Sequence, residues 1–241
     1  MQRTLRMLTL SIIVPIFNES RTLPRLIDEL STLIGKLSFE VVFVDDGSTD
    51  DSLEILHTLT KTVAYSHVVV TKNNGGKTSA VNEGLTSAIG THAIVLDADL
   101  ELWISDIPTM WEVVESGTND VVFGYREFRS QSSFTWRYAR GNQFLSNFYG
   151  LLFNVVVTDI MCGFKLLPLQ QFRQIPFSSR GFGLEIEIPF NVWKNRIKPH
   201  EVAVNYSPRT RMEGKTIGVF DALQMLYLMT YQRIRFGIFK K

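Results

Sequence analysis

Ser11-Ile-Ile-Val-Pro-Ile-Phe-Asn-Glu19 is an apolar, β-branched run that reaches a proline and then breaks into polar side chains, the pattern of a buried strand ending in a loop. Downstream, Leu23, Leu26, Ile27, Leu30, Leu33 and Ile34 recur at helical spacing before a second apolar run, Val41-Val-Phe-Val44. Strand, amphipathic helix, strand is the βαβ unit of a parallel sheet. The alternation continues with a helix over 53–59, a strand over 68–70, a helix over 78–89 and a strand over 93–96. Polar clusters follow three of these four strands, at Asn18-Glu19, at Asp45-Asp46-Gly47-Ser48 and at Asp97-Ala98-Asp99. Strand C-terminal ends are where open α/β sheets bind ligands.

The second half is less periodic: a strand at 121–123, an apolar helix over 143–157, a helix over 184–194 and a strand at 202–204. No repeat or low-complexity linker divides the chain. An α/β fold with a mostly parallel sheet flanked by helices is the expected architecture, occupying 1–217, with an amphipathic basic segment over 218–241.

A chain of 241 residues, 45% hydrophobic, buries a substantial core. The formal net charge of +1 gives no basic excess of the kind nucleic-acid binders carry, so nucleic acid is not an expected partner. The single cysteine, Cys162, excludes an internal disulfide and a cysteine zinc cage, which agrees with a cytoplasmic setting. Arg3 and Arg6 ahead of the first apolar run imitate a signal peptide, but Pro15 and Glu19 stand where a small-residue cleavage site belongs, so the run reads as a strand. About 18 consecutive apolar residues are needed to cross a bilayer as a helix, and no such run occurs. The four histidines, His57, His67, His92 and His200, lack metal-ligand spacing and receive no role.

Asp97, Asp99 and Glu101 alternate directly after an apolar run, so a continuing strand would present them on one face and a slight turn at its end would converge them. Hard divalent cations take oxygen ligands and complete their shell with substrate phosphates, which makes a metal and diphosphate site one reading and a solvated acidic turn the other. Gly76-Lys77-Thr78 and Gly214-Lys215-Thr216 end like a P-loop, but the first glycine of that motif would fall on Thr71 or Arg209. A P-loop is therefore disfavoured, and no G-x-G-x-x-G follows the first strand.

Val14-Pro-Ile-Phe-Asn-Glu19, Val44-Asp-Asp-Gly-Ser-Thr-Asp50, Asn74-Gly-Gly-Lys-Thr-Ser-Ala80 and Asp97-Ala-Asp-Leu-Glu101 together resemble family-2 glycosyltransferases of GT-A fold. Asp159-Ile-Met-Cys-Gly-Phe-Lys165, Gly183-Leu-Glu-Ile-Glu187 and Arg209-Thr-Arg-Met-Glu-Gly-Lys215 resemble the branch of polyprenyl-phosphate (dolichyl-phosphate) mannose and glucose synthases. The resemblance implies a donor-binding half over 1–101 and an acceptor-binding half over 102–217. Pro15, Phe17, Glu19 and Asp46 would line the base and ribose pocket of a UDP- or GDP-sugar. Asp97, Asp99 and Glu101 would meet Mg²⁺ or Mn²⁺ and the diphosphate, with Lys77, Arg209, Arg211 and Lys215 as further donor contacts. Asp46 can also serve as a turn-former in Asp-Gly-Ser, and the two roles can coexist. Arg126 and Arg140, with Arg137 between them, would hold the lipid phosphate through guanidinium forks, or lie solvated on the surface. Asp159 and Glu185 read either as catalytic bases or as hydrogen-bonding groups that fix the acceptor loop.

The reaction so implied is an inverting displacement that moves a hexose to a polyprenyl phosphate at the cytoplasmic membrane face. A hydroxyl acceptor is the alternative within the enzymes and a non-catalytic nucleotide-sugar binder the alternative outside them; no Q-x-x-R-W signature points to processive polysaccharide synthesis. Phe144, Leu145, Phe148, Leu151, Leu152, Val155 and Val156, and Leu223, Leu226, Tyr227, Tyr231 and Ile234 ahead of Arg233, Arg235, Lys240 and Lys241, form apolar stripes with basic ends. Such stripes suit a membrane surface or a membrane partner, and equally a core or a homo-oligomer interface.

Overall fold

The computed structural model describes residues 9–127, 136–177, 183–208 and 219–237. Arg3, Arg6, Arg209, Arg211, Lys215, Lys240 and Lys241 lie outside them, as does the side chain of Arg137. Among the described residues, strands β1 (Leu10–Ile16), β2 (Phe39–Asp45), β3 (Ser66–Thr71), β4 (His92–Val95), β5 (Val122–Arg126), β6 (Lys165–Pro168) and β7 (His200–Val204) form one sheet in the order β3-β2-β1-β4-β6-β5-β7. Its pairings are parallel except the two made by β6, which runs against β4 and β5.

Period-two alternation divides the strands between two apolar layers. Leu10, Ile12, Val14 and Ile16 of β1, with Val41 and Phe43 of β2, enter one layer with helices α1 (Leu23–Ser31) and α4 (Ile107–Glu115). Ile13, Val42 and Val44 enter the other with α3 (Lys77–Ser87), α6 (Leu169–Arg173) and α7 (Leu184–Lys194). Helix α1 buries Leu23, Leu26, Ile27 and Leu30, and α4 buries Ile107, Met110, Trp111 and Val114, each the i, i+3, i+4, i+7 stripe of a helix lying on a sheet. Helix α2 (Ser52–Leu59) contributes Leu56 beside α1. Gly84 lets α3 approach closely: a Cβ there would lie 2.4 Å from Ile13 Cγ2 and 3.1 Å from Val44 Cγ2.

A third apolar cluster joins α5 (Trp136–Phe153), α7 and α8 (Val219–Phe236) through Tyr149, Phe153, Ile186, Phe190, Met225 and Met229. Helix α5 starts earlier and stops sooner than its apolar periodicity predicts. Asn154 takes φ +55° and Val155 N–H bonds back to Gly150 O at 3.2 Å, a left-handed C-terminal cap that releases the β-branched residues after it. Strand β6 and helices α4 and α6 are absent from the sequence expectation. The first is four residues long and carries a lysine, so it shows no strand period. The fold class is nonetheless the expected one.

Candidate functional site

The C-terminal ends of β1 and β2 are sewn together by polar side chains. Asn18, at φ +57°, accepts from Thr49 N at 2.8 Å and Asp50 N at 3.3 Å through Oδ1, while its own N–H donates to Ser48 Oγ. Ser52 Oγ accepts Glu19 N at 2.8 Å, and Glu19 Oε2 accepts Thr22 Oγ1 at 2.9 Å. Phe17 is exposed at the rim and Pro15 is half-buried at the end of β1. The turn-forming acid is Asp45, whose Oδ2 accepts Ser48 N. Asp46 instead is buried and reaches across to the loop after β3, accepting Lys72 Nζ at 2.6 Å, Gly75 N at 3.0 Å and Gly76 N at 2.7 Å. It thereby fixes Gly76, which takes φ +82° as the N-cap of α3 and which a side chain would strain.

Lys77 is the first residue of α3 and stands between two acids from distant parts of the chain. Its Nζ lies 2.8 Å from Asp97 Oδ1 and 3.0 Å from Glu185 Oε1. Burial pulls the lysine toward neutrality, but the two carboxylates outweigh it and raise its pKa, so Lys77 remains a cation. Glu185 is buried, and its Oε2 has no hydrogen-bond partner among the described residues. Lys77, Lys165 and Glu185 line a cavity of about 10 Å³ beside it, room for one water.

The acidic run does not continue as a strand. Strand β4 ends at Val95, and Leu100 turns the backbone at φ +59°. Asp97 therefore faces Lys77, Asp99 Oδ1 accepts Glu101 N at 3.0 Å, and Glu101 Oε2 accepts the hydroxyl of Tyr206 at 2.7 Å. Among the described residues no three His, Cys, Asp or Glu side chains are gathered as a metal cluster. The turn at Leu100 and the approach of Tyr206 thus give the three acids different partners among the described residues. Asp97 is one-third exposed and already faces the Lys77 cation.

Arg126 at the end of β5 meets Asp159 in a bidentate pair: Nε to Oδ2 at 2.7 Å and Nη2 to Oδ1 at 3.0 Å. Asn142 of α5 joins both, accepting Arg126 Nη2 and donating to Asp159 Oδ1 at 2.9 Å. Arg126 N and Met161 N also donate to the Asp159 carboxylate. Burial pushes the Asp159 pKa up, but Arg126 and these donors outweigh it and hold it below 3.8. Arg140 is exposed on α5, its guanidinium 5.8 Å from the Trp136 ring centre. Lys165, fully buried in β6, donates to Ile160 O at 3.1 Å and to Cys162 O, which ties down the turn after Asp159. Burial lowers its pKa.

Sequence reasoning singled out Arg126, Asp159, Lys77, Asp97 and Glu185, and the structure assembles them in two groups. It gave no part to Asn142, Tyr206 or Asn18. Asn142 stood two residues beyond Arg140 and Asn18 within a quoted motif, whereas nothing local marks Tyr206.

The model of the family described as "Glycosyl transferase family 2" matches residues 11–185. A dolichyl-phosphate beta-glucosyltransferase of Dictyostelium discoideum is 27% identical over 96% of this chain and 76% of its own length. An undecaprenyl-phosphate 4-deoxy-4-formamido-L-arabinose transferase of Yersinia enterocolitica is 38% identical over 52% of this chain, and the chain spans 38% of that protein. The crystal structure of glucosyl-3-phosphoglycerate synthase from Mycobacterium tuberculosis with Mn²⁺, UDP and glucosyl-3-phosphoglycerate has a TM-score of 0.69 at 18% identity, covering 95% of this chain and 80% of that one. At that identity the likeness shows the GT-A fold alone.

Proposed function

We propose the following reaction for this chain, which belongs to glycosyl transferase family 2: a hexose passes from a nucleotide-sugar donor to the phosphate of a polyprenyl lipid, with inversion at the anomeric carbon. A phosphate oxygen of the acceptor forms the new bond to that carbon while the bond to the diphosphate breaks, its electron pair leaving on the nucleoside diphosphate. The names of the relatives support this acceptor class. The observation that carries it is the condition of the two candidate bases. Asp159 is locked in a bidentate pair with Arg126, and Glu185, buried and bonded to Lys77 through Oε1, turns its other oxygen to a cavity with room for one water and not for an alcohol acceptor, so neither is poised to take a proton from one. A phosphate acceptor, ionised near neutral pH, needs no such base.

In this reading the loops after β1 and β2 hold the nucleoside, with Phe17 and Glu19 at its edge and Asp46 acting through the turn at Gly75 and Gly76. Mg²⁺ or Mn²⁺ bound by Asp97 and Asp99 would neutralise charge developing on the leaving diphosphate, a use supported by the Mn²⁺ and UDP present in the structural neighbour. Lys77 adds positive charge at the same place. Arg126, held in place by Asp159 and Asn142, faces the acceptor phosphate with Arg140, and Arg209, Arg211 and Lys215 supply further basic groups to the diphosphate.

The lipid acceptor calls for a membrane surface. No described helix is long and apolar enough to cross a membrane. Trp136, Phe144 and Leu151 of α5 and Phe220, Leu223, Tyr227 and Ile234 of α8 are exposed, with Arg233 and Arg235 toward the end of α8. Apolar side chains with basic neighbours suit peripheral docking on anionic lipid.

The test is transfer from radiolabelled UDP-glucose, UDP-N-acetylglucosamine and GDP-mannose to a short polyprenyl phosphate with Mg²⁺ or Mn²⁺. Product in the lipid phase is expected with one donor. Donor binding with transfer only to an alcohol or glycan would replace the acceptor, and absence of donor binding would remove the donor site.

A further inference from the structure

Tyr206 lies outside every motif read from the sequence, yet it touches both halves of the site. Its hydroxyl donates to Glu101 Oε2 at 2.7 Å, and the Arg126 guanidinium carbon sits 4.9 Å from the centre of its ring. Only 6% of the residue is exposed, so both contacts are shielded from water. Its surroundings leave the ring little freedom. Residues 102 and 206 form an antiparallel bridge, Ser207 N donates to Glu101 O at 2.8 Å, and Trp103 Nε1 donates to Ser207 Oγ at 2.9 Å. Asp106 clamps the preceding residue, accepting Asn205 N at 2.6 Å and Asn205 Nδ2 at 2.9 Å.

The path continues past Glu101. The backbone N–H of Glu101 donates to Asp99 Oδ1 at 3.0 Å. One side chain therefore registers the second acid of the acidic turn through its hydroxyl and the Arg126 guanidinium through its ring. We propose that Tyr206 is a positioning residue that aligns the acceptor-phosphate arginine with the metal–diphosphate site, the hydroxyl serving the donor side and the ring face the acceptor side. The proposal rests on the assignment of Arg126 to the acceptor and of Asp97 and Asp99 to the donor diphosphate.

The two contacts are separable by substitution. Tyr206→Phe keeps the ring under Arg126 and removes the hydroxyl; Tyr206→Leu removes both. Mn²⁺ affinity in the presence of UDP, read from the electron paramagnetic resonance signal of free Mn²⁺, needs no turnover. Tyr206→Phe is expected to weaken it about fivefold, the range of one lost hydrogen bond, and to raise KM for a short polyprenyl phosphate less than Tyr206→Leu does, since the hydroxyl also interacts with Arg126 while the ring stays beneath it. Tyr206→Leu is expected to weaken it equally and to raise that KM about fivefold, the range of a desolvated cation–π contact. Glu101→Leu, which leaves the Tyr206 hydroxyl no acceptor, combined with Tyr206→Phe should lose no more Mn²⁺ affinity than the worse single variant, because both break the same link.

Wild-type Mn²⁺ affinity in Tyr206→Phe, or full additivity with Glu101→Leu, overturns the donor-side role. An unchanged acceptor KM in a folded Tyr206→Leu overturns the acceptor-side role, and if that variant does not fold, Tyr206→Thr provides the same comparison. A wild-type chain that binds no Mn²⁺ with UDP sinks the donor site itself, a different failure from a wild type that binds and variants that match it.

Discussion

Arg126 and Asp159, 33 positions apart in the chain, meet through two nearly parallel N–H···O bonds while Asn142 bonds to both. The Asp159 side chain is fully buried and that of Arg126 is 12% exposed, so the always-charged guanidinium is what keeps the buried carboxylate ionised and the carboxylate is what compensates the guanidinium. Removing one partner leaves the other as an uncompensated buried charge.

Asp159→Asn should cost about 3 kcal/mol at neutral pH, the range for breaking a buried pair. Because the folded-state pKa of Asp159 lies below 3.8, the unfolded chain takes up the proton first as pH falls. The pair's stabilisation is complete above that value and declines below it, vanishing once pH passes the folded-state value. Melting temperatures of wild type and Asp159→Asn should therefore differ most near neutrality and converge below pH 3.8. A constant gap across that range would mean the carboxylate is not what Arg126 relies on.

Lys77→Met removes the cation shared by Asp97 and Glu185 and leaves two acids facing each other. The expected result is a fall of about a hundredfold in kcat/KM for transfer, the scale of one lost charge-stabilising donor. Lys77→Arg should rescue little, since a planar fork does not reproduce a point charge between two carboxylates. Steady-state kinetics with the preferred donor decides it; near-normal turnover in Lys77→Met would detach Lys77 from the diphosphate.

Gly84→Val tests packing rather than chemistry. A side chain at Gly84 collides with Ile13 and Val44, so the substitution should destabilise by about 1–3 kcal/mol, although most residues are better helix formers than glycine. Denaturant unfolding measures the loss. Specific activity well below the melting temperature should stay close to wild type, because α3 carries Lys77 at its other end.

Phe220→Ser with Leu223→Ser should lower affinity for anionic phospholipid vesicles by about tenfold or more, following the transfer cost of large apolar side chains. Both residues are exposed, so the fold has little to lose. Co-sedimentation with vesicles is the measurement, and transfer to a detergent-dispersed short-chain acceptor should be preserved. Equal sedimentation of variant and wild type would take α8 out of the docking surface.

The first four strands, the helices between them and the acids at their ends were legible because each is written in a local period: two for a strand, 3.6 for a helix, and a break at the loop. Composition alone excluded a disulfide scaffold, and spacing disfavoured a P-loop. Strand β6 escaped because four residues containing a buried lysine carry no period, and the end of α5 escaped because a left-handed asparagine overrides apolar spacing. What each charged group does depended on partners far away in sequence. Lys77 and Glu185 are 108 positions apart, Tyr206 and Glu101 are 105 apart, and Asp46 turned out to hold a loop 29 positions ahead. The alternating acids in particular looked like one cluster in the sequence. Only the turn at Leu100 and the approach of Tyr206 divided them, because side-chain direction at a strand end is set by backbone dihedrals and long-range contacts that local residue order does not encode.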